Sequence, residues 1–205
     1  MEWKFDDTIA NDFRNHAIQH IPNYDTVIQK SISIAESYGK NARIIDVGCA
    51  IGETLDRLDL AGFKNIIGVD NSASMLKKCK EKHELVLSDF LPTGKYDLVI
   101  INWTLHFIKN KTEYLSDVYK NLNQGGGLIL SEKVSLDPFL IKMYHNFKRA
   151  SGVTEDVIKQ KEEMLKNTMH INNAQWYIDT LVRIGFTDIS IIDAHWCFNT
   201  FYCKK

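Results

Sequence analysis

Apolar residues fall along this chain in two alternating arrangements. Short continuous runs ending near Asp46, Val69, Leu87, Ile101 and Ser131 have the length of buried strands, and stretches spaced at three and four residues separate them. Two helical patterns, Asp7 to His20 and Tyr24 to Tyr38, come first, and Gly39 is placed to cap the second. Further helices are expected at Thr54 to Leu60, Ser74 to Lys82 and Thr112 to Leu122, the last stopped by a Gly125-Gly126-Gly127 turn. Two more helical stretches fill Pro138 to Asn167. Helix Ala174 to Ile184 and strands Asp188 to Ile192 and Phe198 to Cys203 follow, and the short link between those strands predicts an antiparallel pair. Alternation of this kind specifies an α/β fold around a mostly parallel sheet. One domain over residues 1–205 is expected, with a helical cap at 1–40 and inserted helices at 134–170; a chain of this length buries about 70% of its unfolded surface.

The chemistry concentrates where the strands end. Arg43 to Glu53 read RIIDVGCAIGE: an apolar run ends at Asp46, a Gly48-x-x-x-Gly52 turn follows, and a helical pattern begins behind it. Glycine allows a ligand to approach the backbone, and a helix N-terminus offers free N–H groups. Asp70 closes IIGVD, eighteen positions after Gly52, where an acidic side chain can accept both hydroxyls of a ribose. Asp89 and Phe90 end LVLSDF and offer an acceptor for an adenine amine and a wall for the ring, while Asn102 reaches the same edge from the fourth strand. Asp46 also suits a turn-forming role. The three matches together describe a binding site for S-adenosylmethionine (SAM), with Cys49 as a small loop residue beside it.

Composition narrows the classes. With 25 basic and 26 acidic residues the net charge is -1, so nothing draws the chain globally to nucleic acid or an anionic surface. The segment KKCKEKHE from Lys77 is diluted by Glu81 and Glu84 and reads as a solvated face rather than an RNA footprint. No apolar run approaches the roughly 18 residues of a membrane span, and the acidic, amphipathic start is unlike a leader, so a cytoplasmic protein is expected. Cys49, Cys79, Cys197 and Cys203 lack zinc or disulfide spacing. His16 and His20 share a helix face but have no acidic partner or third ligand, so no metal is expected.

The order of elements resembles the class I SAM-dependent methyltransferases, and within them the carboxy-S-adenosylmethionine synthase family. The resemblance covers nearly the whole chain and rests on W-x-F-D at Trp3 to Asp6, P-x-Y at Pro22 to Tyr24, GCAIG, VDNS, Asn102-x-Thr104-Leu105, LSEK at Leu130 to Lys133 and FKRASG at Phe147 to Gly152. It implies a Rossmann-like fold whose seven-stranded sheet has an antiparallel last strand, a helical lid, and a helical insertion after strand five. It further implies Tyr24, Gly48, Cys49, Ala50, Asp70, Asn71, Asp89, Phe90 and Asn102 around the cofactor, a homodimer, and prephenate as carboxyl source. In that family an arginine in the second inserted helix grips the carboxylate of carboxy-SAM. Here the position is Glu162, and two like charges about 4 Å apart repel by about 4 kcal/mol at an effective dielectric of about 20. Lys159, Lys161 or Lys166 offers a point charge there without the planar fork of arginine.

That departure favours methyl transfer to a small-molecule acceptor, by in-line displacement at the sulfonium methyl with S-adenosylhomocysteine as product. Carboxy-SAM synthesis, other SAM chemistry such as cyclisation or cleavage, and a SAM-binding module without catalysis are the alternatives. His106, Tyr24 or His145 is the expected orienting or basic group. Glu162, Tyr144 and Arg149 are the expected substrate-side residues. Trp3, Phe5 and Phe13 suit either a lid or an anchor for the first helix.

Overall fold

A computed structural model describes residues 6–205. The order is α1 (Asp7–Asn11), α2 (Phe13–His20), α3 (Tyr24–Glu36), β1 (Arg43–Val47), α4 (Glu53–Leu60), β2 (Asn65–Asp70), α5 (Ala73–Leu76), β3 (Glu84–Leu87) and β4 (Tyr96–Asn102). A 3₁₀ turn (Leu105–Phe107) leads to α6 (Lys111–Asn121), β5 (Leu122–Lys133), α7 (Pro138–Ala150), α8 (Glu155–Leu165), α9 (Ala174–Ile184), β6 (Thr187–His195) and β7 (Phe198–Lys204).

The strands form one seven-stranded sheet in the order β3-β2-β1-β4-β5-β7-β6. Strands β1 to β5 pair in parallel, and β7 runs antiparallel to both β5 and β6, as the resemblance implied. Strand β4 shows why the core has two layers. Leu98 and Ile100 face Ile32, Ala35, Leu55 and Leu58 on one side, whereas Val99 and Ile101 face Leu115, Val118, Tyr177 and Leu181 on the other. Side chains alternate along a strand, so helices must cover both faces, and each fully buried Leu or Ile contributes roughly 1.5–3 kcal/mol.

Three local expectations change. The first helix breaks at Asp12, whose φ of -127° and ψ of 23° leave the helical region and whose carboxylate takes Asn15 Nδ2 at 2.7 Å; Asp and Asn compete with the helix backbone in this way. Helix α5 stops at Leu76 rather than Lys82. Beyond it Cys79 Sγ donates to the Ala50 carbonyl at 3.2 Å and His83 sinks against Asp56 at 2.8 Å, while Lys80 and Lys82 pair with Asp56 and Asp59. Turns, not a helix face, let the segment reach those partners. The triple glycine lies inside β5, where the register with β4 shifts between Tyr96 and Leu98. Gly127 is needed because a Cβ there would stand 2.2 Å from the Tyr38 hydroxyl.

Candidate functional site

The parallel strands deliver their carboxyl ends to one edge, and a cavity of about 1180 Å³ opens there. That exceeds the roughly 300–1,000 Å³ typical of a site for one small ligand. Gly48 leaves β1 with φ 72°, and a Cβ on it would sit 1.9 Å from Thr104 Oγ1. Ala50 also takes a left-handed φ, 47°, held by its N–H donating to Asp70 Oδ2 at 2.9 Å. Gly52, with φ 83°, precedes the first turn of α4.

Asp70 ends β2 and braces the loop on both oxygens, since Oδ1 accepts from Ser72 N at 2.8 Å. Burial lifts its pKa while these backbone donors oppose the rise. A carboxylate has about four acceptor sites, so capacity remains for ligand hydroxyls. Asn71 Nδ2 donates to Asp89 Oδ1 at 2.9 Å, and Phe90 stands 74% exposed at the mouth. Cys49 lines the cavity and packs its sulfur on Gly68, where a Cβ would come within 2.8 Å. Asp46 is buried and its pKa is pushed up to about 8, first by burial and then by the charge of Asp70, against a hydrogen bond from Thr54. Asn102 accepts from Ser131 Oγ at 2.7 Å, yet its buried Nδ2 has no protein partner among the described residues. A buried donor facing a cavity is costly unless a ligand or water accepts from it.

The N-terminal helices form the roof. Tyr24 is buried, its ring stacks on Trp103 with centroids 4.8 Å apart, and its hydroxyl donates to Glu53 Oε2 at 2.6 Å. Burial raises its pKa above the ordinary phenol value. Arg14 joins Asp25 at 2.9 Å and also Glu53, and Arg57 pairs with Asp25, so α2 and α3 are bolted to α4. Phe13 lines the cavity; Trp3 and Phe5 lie outside the described residues.

Of the expected acid–base and substrate residues, His106, Tyr24, Tyr144 and Glu162 line the cavity, and His145 and Arg149 do not. His106 sits in the 3₁₀ turn with Nδ1 3.0 Å from Glu132 Oε2. Glu132 is fully buried and also accepts from Leu105 N at 2.8 Å and from the Tyr177 hydroxyl at 3.3 Å. His145 Nε2 lies 2.6 Å from Glu162 Oε1, but off the angle of a hydrogen bond. Arg149 turns outward to Glu155 at 2.6 Å. Tyr144 donates to the His20 carbonyl at 2.7 Å. His16 and His20 meet edge to face, centroids 4.5 Å apart, and burial together with the charge of Lys161 holds them at about 4 and about 3. Lys161 itself contacts His16. Sequence reading passed over Glu132, Trp103, Lys133 and Lys148 as site residues, although LSEK and FKRASG contain three of them.

Residues 38–179 match the family described as a methyltransferase domain. The chain is also 32% identical to the carboxy-S-adenosyl-L-methionine synthase of Yersinia pestis strain Pestoides F, over 97% of its own length and 82% of the relative. The chain belongs to the class I SAM-dependent methyltransferases. It is a SAM-dependent transferase, and SAM is its cofactor. Solved methyltransferases share the fold: one SAM-dependent methyltransferase from Archaeoglobus fulgidus superposes with a TM-score of 0.68 at 16% identity, over 94% of this chain and 99% of that one. Magnesium protoporphyrin IX methyltransferase from Synechocystis PCC 6803, solved with bound SAM, gives 0.64 at 14% identity over the whole of both chains. No described helix of this methyltransferase is long and apolar enough to cross a membrane.

Proposed function

We propose that this chain methylates a small-molecule acceptor, and the observation that carries the reading is Glu162 lining the cavity where the resemblance calls for an arginine. Asp70 would accept from the ribose hydroxyls, Asp89 from the adenine amine with Phe90 against the ring, Asn102 Nδ2 would donate to the methionyl carboxylate, and Asp46 would accept from the methionyl ammonium, along a loop whose Gly48, Cys49, Ala50 and Gly52 admit close approach. The buried Asn102 donor, which has no protein partner among the described residues, supports that fit. SAM when bound supplies a methyl on positive sulfur, open to in-line displacement in which the sulfur keeps the bond's electron pair. The chain's own part is to exclude water and hold the acceptor in line, which can supply roughly 7–11 kcal/mol of the barrier.

His106, oriented through Nδ1 by buried Glu132, is the side chain best placed to take a proton from an acceptor that carries one. Tyr24 donates its hydroxyl to Glu53 and has a raised pKa, which suits it to holding the roof. The unit is one domain over residues 1–205, with its cap at 1–40 and insertion at 134–170. The family resemblance supports a homodimer, and the balanced charge and absence of a long apolar run support a cytoplasmic protein.

The second reading, carboxy-SAM synthesis from SAM and prephenate, draws support from the 32% identity to such a synthase. Incubating the protein with SAM, with and without prephenate, and weighing the nucleosides by mass spectrometry separates the two. Wild type is expected to form no detectable carboxy-SAM, and Glu162→Arg to form it at least about tenfold above the detection limit by restoring a bidentate partner. Carboxy-SAM from the wild type would overturn the methyl-transfer reading. SAM binding without consumption, alongside candidate acceptors, would indicate a binding module; consumption without methylated product would indicate cleavage or cyclisation.

Asp46 provides a pH test. A carboxyl whose folded pKa is raised binds a proton that the unfolded chain releases, so this group makes the fold less stable as pH climbs towards about 8. A cation beside it requires the ionised form. SAM affinity is therefore expected to rise by up to about tenfold per pH unit below about pH 8, with the slope flattened in Asp46→Asn, as calorimetry across pH 6 to 8 would show.

A further inference from the structure

Beyond the glycine loop four lysines line the cavity, and two of them share an aromatic partner. Lys133 leaves the end of β5 and Lys148 lies on α7, and their ammonium groups sit over the ring of Tyr144, at 5.4 Å and 4.4 Å from its centroid. Lys148 is only 5% exposed and lines the cavity. Among the described residues neither ammonium has a carboxylate within ion-pair distance; the nearby Glu162 has turned to His145 at 2.6 Å. Burial first, and then repulsion from Lys133, brings the pKa of Lys148 down to about 8, a pull that Glu162 only partly offsets.

A buried ammonium and a half-buried one against the same aromatic ring are costly unless an anion joins them. The surrounding wall is Tyr144, Phe198 and Trp103, apolar surface suited to an organic body rather than a free ion. Counted with Glu162 and with Lys161, whose pKa burial and the two neighbouring lysines bring down to about 7, the group carries between one and two positive charges, which the carboxylate of an organic molecule can meet.

We propose that Lys133 and Lys148 form a receptor for the carboxylate of the acceptor, so that the molecule methylated by this enzyme is a small organic acid. The inference rests on the methyltransferase reading for the word acceptor, and on the lysine pair alone for the word acid. The carboxylate would lie across the two ammonium groups above Tyr144, with the rest of the molecule against Phe198 and Trp103. Each lysine acts as a point charge, so the pair fixes where the acid group lies and leaves the body free to vary. Specificity would then reside in charge at one end and in shape at the other.

Benzoate, its uncharged isostere benzamide, and phenyl phosphate serve as probes. Their binding to the full chain is measured by calorimetry, with and without saturating S-adenosylhomocysteine, and SAM binding is measured on the same samples. Benzoate is expected to bind at least tenfold tighter than benzamide and phenyl phosphate. Lys148→Met and Lys133→Met should each remove that advantage while SAM affinity stays within about twofold. In the wild type, NMR of lysine side-chain amines should show the Lys148 pKa rising by about one unit or more on adding benzoate, a readout that needs no variant to fold. Equal binding of benzoate and benzamide, or an unmoved Lys148 titration, would overturn the receptor. Tighter binding of phenyl phosphate would overturn its assignment to a carboxylate. Loss of SAM binding in the wild type would instead strike the methyltransferase reading and leave the benzoate result standing.

Discussion

Asp70→Ala is expected to weaken SAM binding by at least about 100-fold. A charge-assisted hydrogen bond contributes roughly 1.5–3 kcal/mol, and two ribose hydroxyls sharing one carboxylate reach about 3 kcal/mol, or about two powers of ten in affinity. The same side chain accepts from Ala50 N and Ser72 N, so its removal also frees the left-handed Ala50 from the bond that holds it. Asp70→Asn keeps the shape and one acceptor, and is expected to lose less, about tenfold. Calorimetry with SAM on both variants separates the two effects, with thermal melting to confirm that each is folded. Unchanged affinity in Asp70→Ala would remove the ribose contact from the site.

Gly48→Ala is the second large effect, and it acts by a different route. The methyl would enter a backbone with φ 72° and stand 1.9 Å from Thr104 Oγ1 and 2.6 Å from Thr104 Cγ2. Thr104 has little freedom to yield: it is β-branched, and its hydroxyl lies within hydrogen-bond distance of the Val47 and Asn102 carbonyls, at 3.3 Å and 3.1 Å. A left-handed alanine costs roughly 1–2 kcal/mol, and the overlap adds to it. A total of about 3 kcal/mol corresponds to a fall of about 10 °C in melting temperature for a chain of this size. SAM binding should be lost together with that stability, because the same methyl pushes the loop out of line. Adding Thr104→Gly should recover the overlap but not the backbone cost, so about half of the melting shift is expected to return. A Gly48→Ala protein that melts normally and binds SAM would show that the loop adapts.

The sheet and the residues at its edge were legible because a parallel α/β fold leaves little choice. Every strand run ends at the same side, so Asp46, Asp70, Asp89 and Asn102 had to meet there, and the structure brings them to one cavity. Local punctuation was less legible. Gly125-Gly126-Gly127 has the composition of a turn, but Tyr38 lies against Gly127 from the end of the helical cap, before β1, and only that tertiary neighbour explains a glycine inside a strand. Helix α5 ended early for the same kind of reason, since His83 found Asp56 on α4. The substrate side was the least readable. His145, Arg149 and Glu162 were singled out by motif or by departure from one, but α7 and α8 turn Arg149 outward to Glu155 and set His145 against Glu162. Lys133 and Lys148 are separated by a connection and most of a helix, and their meeting over one ring follows from how α7 lies against β5, which no periodicity encodes.

The roof bolted through Arg14, Asp25, Glu53 and Arg57 also dictates an order of assembly. On the ribosome α1 to α3 emerge before the sheet, yet Glu53 and Arg57 come only with α4, and Tyr144, which donates to the His20 carbonyl, comes with α7 after β5. The nascent cap therefore meets its ion-pair partners once α4 is made, and its contact with α7 only after β5, so its anchoring spans the long-range pairing of the sheet.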